Sequence, residues 1–347
     1  MIPVFDGHND ALIAEDHGSL ASGRHGGHLD LPRMRTGGMR GGIFAVFTRT
    51  YDDRSRAPAV DRDDGVRTFP LDPEISSERA ALVCTTVAGR LLALERTGRM
   101  HVARAIADID NAREGPSDAP PVAVLHFEGA EAVGPDLAAL ETWYAAGLRS
   151  IGPAWSRPNR FAHGVPFIYP SSPDVGPGLT PQGFALLRRC AELGILIDVS
   201  HLTEAGFWDV ASRDAGPIVA SHSGAHAISP CSRNLTDQQL DAIGRSGGLV
   251  GIVFACGFLR PDFVDSPQTT PLELIVRHAS HVADRIGVEH VGLGSDFDGA
   301  YIPSELGDVA GLPRLLNALR DTGGFTPAEV EAIAWHNWRR VLDAWWR

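Results

Sequence analysis

Val4-Phe5-Asp6-Gly7-His8-Asn9-Asp10 is a short apolar run that closes on an imidazole and a carboxylate. His8 and Asp10 are two residues apart, so an extended strand projects both side chains from the same face. The pattern returns far downstream. Asp198-Val199-Ser200-His201 and Ala220-Ser221-His222-Ser223 each end an apolar run in the same kind of residue. Strands that repeatedly finish in metal-binding side chains imply a sheet whose strand ends converge.

Working outward, eight strand candidates appear at 3–6, 42–48, 122–127, 149–154, 195–199, 218–220, 249–254 and 291–294. They are short, rich in Val, Ile and Leu, and mostly continuous rather than alternating, as in parallel sheets covered on both faces. Helix-like stretches separate them at 74–96, 135–146, 180–193, 203–212, 236–246 and 270–286. Thr180-Pro181 and Thr326-Pro327 carry the signature of an N-cap followed by proline. The alternation predicts an α/β fold, a (β/α)8 TIM barrel spanning 1–347 as one domain. A doubly wound sheet is the rival. It requires a glycine-rich phosphate loop after an early strand, whereas Gly37-Gly38 and Gly41-Gly42 precede one. Two stretches, 51–72 and 156–178, read as long loops. The second carries Phe161, Phe167 and Tyr169 and reads as an ordered wall at the catalytic face.

Composition narrows the function. The chain has 347 residues, 44% apolar and 21% charged, with a net charge of −12. That is ample for a core and wrong for a nucleic-acid surface. The N-terminal residues show no secretory pattern, no apolar run reaches membrane-spanning length, and the C-terminus carries no lipid-anchor signal. A cytoplasmic protein off the membrane is the expectation. Cys84, Cys190, Cys231 and Cys256 form no CxxC pair, so they read as buried free thiols. The chain contains no lysine. That removes Schiff-base chemistry, the P-loop and a carbamylated-lysine metal bridge.

The polar residues at the predicted strand ends are His8 and Asp10 on the first, Glu128 on the third and Trp155 just past the fourth. His201 follows on the fifth, His222 on the sixth and Asp296 on the eighth. A single histidine after a strand is usually a packing residue. Six ligand-type residues on five strand ends instead point to something cationic at the barrel mouth. Imidazole plus carboxylate, without thiolate, favours Zn2+, with Mn2+ or Co2+ as substitutes. A glutamate can offer one oxygen to each of two metals, so Glu128 is the natural bridge.

These residues, in order along nearly the whole chain, resemble the membrane dipeptidase (renal dipeptidase) family of the amidohydrolase superfamily. The resemblance is carried by Asp6-Gly7-His8-Asn9-Asp10, Phe127-Glu128-Gly129, Asp198-Val199-Ser200-His201, Ala220-Ser221-His222-Ser223, Ser232-Arg233-Asn234 and Gly294-Ser295-Asp296-Phe297-Asp298-Gly299. His28-Leu29-Asp30-Leu31-Pro32-Arg33 and His336-Asn337-Trp338 also match. The resemblance implies two Zn2+ ions, one held by His8 and Asp10, the other by His201 and His222, with Glu128 bridging. It implies a bridging hydroxide that attacks the carbonyl of a small dipeptide, and Asp296 as the proton carrier. Arg233 would bind the substrate carboxylate through its fork. Asn234 is a further substrate-side candidate, Asp298 an orienting group, and a homodimer is the family's suggestion.

One departure stands out. Where the family commonly has a histidine that binds the scissile carbonyl, this chain has Gly152-Pro153-Ala154-Trp155-Ser156. An indole can donate one hydrogen bond but cannot coordinate a metal. Loss of one oxyanion donor costs about 10²–10³ in rate. His163, in the loop beyond, reads as an ordinary loop histidine. The metal side therefore matches while the substrate side is altered. That leaves two alternatives to a dipeptidase: a hydrolase of another amide, such as an N-acyl amino acid or a lactam, or a metal-binding relative with little catalysis.

Overall fold

The computed structural model describes residues 1–50, 59–213 and 215–346. Its centre is a parallel barrel of eight strands: β1 (Val4–Asn9), β2 (Met39–Phe47), β3 (Val122–Glu128), β4 (Leu148–Gly152), β5 (Leu196–Ile197), β6 (Val219–Ser223), β7 (Leu249–Ile252) and β8 (Val291–Leu293). The hydrogen-bonded order runs β6-β7-β8-β1-β2-β3-β4-β5, and a parallel bridge between Asp198 and Val219 brings β5 to β6. Each predicted strand is present.

β2 starts at Met39, three positions earlier than its apolar run suggests. Gly41 and Gly42 lie inside it because its neighbours leave no room for side chains. A Cβ on Gly41 would come within 2.4 Å of Val122 Cγ1. Helices cover the barrel. Thr180 caps Pro181–Leu193, its side chain accepting from the Gly183 N–H. Thr326 forms a capping box with Glu329. The helices Leu31–Gly37, Ile106–Glu114 and Leu312–Asp321 were not among the sequence candidates; the first two are short or weakly periodic, whereas the last buries Leu312, Leu315, Leu316 and Leu319 on one face and its pattern was legible.

The last helical segment holds the barrel from outside. A π turn at Ala332–His336 precedes Asn337–Trp345. Asn337 Nδ2 donates to the carbonyls of Val288 and Val291, each at 2.8 Å, and Trp338 Nε1 donates to Leu293 O at 2.9 Å. The indole fits because Gly7 and Gly292 present no Cβ to it. A Cβ on Gly7 would lie 2.2 Å from Trp338 Cζ2. The His336-Asn337-Trp338 string therefore secures β8 rather than serving the barrel mouth.

Within the 51–72 loop candidate, residues 51–58 lie outside the described residues. Beyond them, Val60–Asp61 and Arg67–Phe69 pair antiparallel with Phe167–Tyr169 from the second predicted loop. The two long loops thus build one small sheet. No described helix is long and apolar enough to cross a membrane. All four cysteines are buried and unpaired.

Candidate metal centre

The C-terminal ends of β1, β3, β5, β6 and β8 bring together six residues read from sequence as the centre. Parallel register is the reason: every strand leaves the barrel through the same mouth. Glu128 Oε1 lies 3.6 Å from His8 Nε2, 2.9 Å from His201 Nε2 and 3.5 Å from His222 Nε2. The His201 and His222 Nε2 atoms are 3.0 Å apart. Asp10 and Asp296 come together beside His8. Two sets of donors, His8/Glu128/His222 and His8/Asp10/Asp296, each have ligand atoms within 4.8 Å of one another. Glu128 thus stands within reach of imidazoles from three strands.

Asp296 occupies a bend after β8. Its backbone is left-handed, with φ of 59°, as is that of Asp298 at 68°. Such values are uncommon outside glycine, and aspartate tolerates them better than most residues. The Asp296 N–H donates to His8 O at 3.0 Å, and the Asp10 N–H donates to Phe297 O at 2.8 Å. Those two bonds lock the β1 and β8 ends to each other.

The electrostatics of the bare polypeptide are unfavourable. Burial pushes the Asp10 and Glu128 carboxyls well above the usual range, and the neighbouring carboxyls push them further. Burial and adjacent cationic groups push the His8 and His222 imidazoles well below theirs. Burial raises Asp296 to about 6, with Arg233 opposing. Acids that resist ionising and imidazoles that resist protonating are packed together, and Arg233 and Arg49 offset the carboxyl shifts only in part. His8 Nε2 and Asp10 Oδ1 are buried without a hydrogen-bond partner. A divalent cation would satisfy both atoms and reverse the pKa logic. Nitrogen and oxygen donors without thiolate fit zinc, manganese or cobalt.

The substrate-side candidates divide. Trp155 lies on the wall of a cavity of about 770 Å³ that also exposes Asp10, Glu128, His201, His222 and Asp296. Its ring packs 4.7 Å from Phe47, 6.0 Å from Phe167 and 5.8 Å from His201, centroid to centroid. With Phe69, Phe258 and Phe263 these rings make one side of the cavity aromatic. Arg233 is buried beside His201 and His222, off the cavity wall. Its Nη1 donates to Ser223 Oγ at 2.9 Å, and Nη2 donates to His222 O at 2.9 Å and lies 3.2 Å from His201 Nε2. Arg233 Nε is buried without a hydrogen-bond partner. Asn234 is off the cavity wall. Its Oδ1 accepts from Gly224 N, and its Nδ2 donates to the carbonyls of Ser229 and Phe258. A fully used amide secures its own loop. His163 is likewise off the wall. Asp298 orients its surroundings, accepting from His28 N at 2.7 Å and Arg24 Nη1 at 2.5 Å.

Sequence reasoning passed over His126 and Asp198. With His8 they form a third set of donors within 4.8 Å of one another. The signal was available, since His126 precedes Glu128 by two residues, the same spacing that joins His8 to Asp10.

A (β/α)8 barrel with buried imidazoles and carboxylates at its mouth defines a metal-dependent hydrolase of the amidohydrolase kind. The comparisons narrow this further. Residues 1–345 match the model of the membrane dipeptidase family, peptidase family M19. A metallopeptidase from Rhodobacter sphaeroides, solved with a phosphinate mimic of the dipeptide L-Ala-D-Ala, is 44% identical; the match covers 99% of each chain with a TM-score of 0.91. A Klebsiella pneumoniae protein described as uncharacterized, in the pqqA 5′ region, is 48% identical over 250 residues, 72% of this chain and 90% of that one. Dipeptidase tcpJ of Claviceps purpurea is 29% identical over 91% of this chain and 69% of its own. The chain belongs to the membrane dipeptidase family, and its class is that of the metal-dependent dipeptidases.

Proposed function

We propose that this protein hydrolyses the peptide bond of small dipeptides with two zinc ions held at the barrel mouth. His8 and Asp10 would hold one ion, His201 and His222 the other, and Glu128 would bridge them. The observation that carries the reading is the convergence of three imidazole Nε2 atoms on Glu128 Oε1, next to a buried Asp10 oxygen with no partner. When bound, the two cations polarise the scissile carbonyl and acidify the attacking water.

The protein's own groups do the rest. The Asp296 carboxylate accepts the proton of the attacking water and returns it to the leaving amine. Its buried position beside Asp10 suits both halves of that transfer. Arg233 is not among the residues lining the cavity, and its assignment to the substrate carboxylate rests on the family resemblance together with a buried Nε that has no hydrogen-bond partner. Trp155 and its aromatic neighbours exclude water and pack the substrate's apolar part. Support for the dipeptide class also comes from the relative solved with a dipeptide mimic.

A second reading has one observation in its favour. Trp155 makes the wall next to His201 aromatic, which suits an amide with an apolar acyl group, such as an N-acyl amino acid. Zinc-loaded protein should be screened against a dipeptide library and a set of N-acyl amino acids and lactams. Efficient turnover of several dipeptides is expected. Turnover of acylated amino acids alone would favour the second reading, and full zinc occupancy without any amide hydrolysis would overturn both.

A further inference from the structure

Two strings that point to the centre, Asp-Val-Ser-His and Ala-Ser-His-Ser, contain residues that the proposed chemistry leaves unused: Asp198, Ser200 and Ser221. All three are buried. Ser221 Oγ has four side-chain neighbours; one, Ser200 Oγ at 3.3 Å, gives its own proton to Asp198 Oδ1 at 2.6 Å and so makes no claim on Ser221. Ser221 Oγ lies 2.5 Å from Asp198 Oδ2, 2.8 Å from His222 Nδ1 and 3.4 Å from His8 Nδ1. A hydroxyl has one proton to give and two lone pairs to receive with. The shortest of these contacts, to a carboxylate oxygen, takes the proton. Both histidine contacts must then be received by Ser221, which requires an N–H on each Nδ1.

We propose that Ser221, oriented by Asp198, fixes the Nδ1–H form of both His8 and His222 and so leaves both Nε2 lone pairs facing the centre. The inference rests on reading these histidines as metal ligands. Ligation needs a neutral imidazole with the metal-facing nitrogen bare. One serine would meet that condition for ligands from two strands, one in each half-site. Asp198 is held firmly enough to serve. Its Oδ1 accepts from Ser200 N at 3.1 Å, Ser200 Oγ at 2.6 Å and Ser221 N at 2.8 Å. Ser200 Oγ in turn accepts from His222 N at 3.1 Å. The third imidazole has a separate hydroxyl neighbour, since His201 Nδ1 lies 2.9 Å from Ser156 Oγ. Ser221 is thus a positioning residue shared between half-sites, and Asp198 acts through it.

The test uses the full chain labelled with ¹⁵N-histidine, metal-free and then titrated with zinc. In the metal-free wild type, nitrogen chemical shifts should show the proton on Nδ1 of His8 and His222. A proton on Nε2 of either residue overturns the assignment. Ser221→Ala should weaken zinc binding about 10- to 100-fold in chelator competition, the usual cost of losing an outer partner of a ligating histidine. Unchanged affinity overturns the proposal. Asp198→Asn keeps shape but turns an acceptor into a donor toward Ser221. It frees the serine proton for a histidine, so a second, Nε2–H set of signals is expected. An unaltered tautomer pattern in that variant would make Asp198 a purely structural residue and overturn its assigned role. Wild-type protein with both Nδ1–H forms that takes up no zinc would instead refute the metal reading and leave the serine assignment standing.

Discussion

Asp296→Asn separates proton transfer from metal binding. Asparagine has nearly the same shape, and it too tolerates the left-handed backbone that residue 296 adopts at φ 59°. The bend after β8 should therefore survive, and with it the bonds from Asp296 N to His8 O and from Asp10 N to Phe297 O. The substitution also removes a carboxyl that pushes Asp10 and Glu128 upward, so those two ligands ionise more readily. Zinc content should stay at two per chain. What asparagine cannot do is accept the proton of the attacking water and return it. A positioned acid–base group contributes roughly 10²–10⁴ in rate, or about 3–5 kcal/mol of barrier. The assay is kcat/KM on a dipeptide at saturating zinc, with metal content by mass spectrometry on the same sample. The pH profile adds a second signature. Burial raises the Asp296 carboxyl to about 6 even with Arg233 opposing, and bound zinc would lower it from there. Wild-type activity should therefore fall on acidification, with its midpoint at or below that value, and the variant should lack this limb. Loss of one zinc would show that Asp296 is a ligand, as its place in a donor set with His8 and Asp10 permits. A rate within about tenfold of wild type would remove it from proton transfer.

Three other outcomes are expected. Burial raises Asp6 to about 7 and Asp296 to about 6, from an ordinary 3.8. The metal-free fold holds these protons while the unfolded chain releases them, so that stability is present below pH 3.8 and lost as pH rises through 6 to 7. Burial holds His126 and His278 at about 4, and these imidazoles work in the opposite sense because the unfolded chain protonates them below pH 6.5. Substitution isolates the carboxyl contribution: chelator-treated Asp6→Asn should gain stability relative to chelator-treated wild type on going from pH 5 to pH 8, and an unchanged difference would contradict the burial argument. Trp155→His should raise dipeptidase kcat/KM or shift substrate preference, since the residue sits 5.8 Å from the His201 ring on the cavity wall; an identical substrate profile would show that position 155 does not meet the substrate. Asn337→Ala leaves the Val288 and Val291 carbonyls without their side-chain donor, which should cost roughly 1–3 kcal/mol in urea unfolding while the folded enzyme keeps its turnover; loss of turnover without loss of stability would refute a purely structural role.

Much of the barrel was legible because its strands are covered on both faces. Such strands must be apolar along their whole length, and runs such as 122–127 and 249–254 stand out whatever surrounds them. Their exact starts were not legible. Glycine at 41 and 42 reads as a loop, yet here it marks where β2 is pressed against Val122 and Asp6. The small sheet over the barrel mouth was also hidden. Its strands have two or three residues each and come from two separate loops, so no local pattern announces their pairing.

The centre divides in the same way. The sequence by itself determined which side chains leave the strand ends, because a period of two and a common strand direction send His8, Asp10, Glu128, His201, His222 and Asp296 to one mouth. Only the tertiary structure decided how they meet. It placed Glu128 Oε1 within reach of three imidazoles, set Arg233 against His222 off the cavity wall and spent Asn234 on its own loop. It also joined Ser221 to histidines from two different strands. Those outcomes depend on distances across the barrel, between residues far apart in the chain. Spacing along a strand sets the direction of a side chain, whereas closure of the barrel sets its partners.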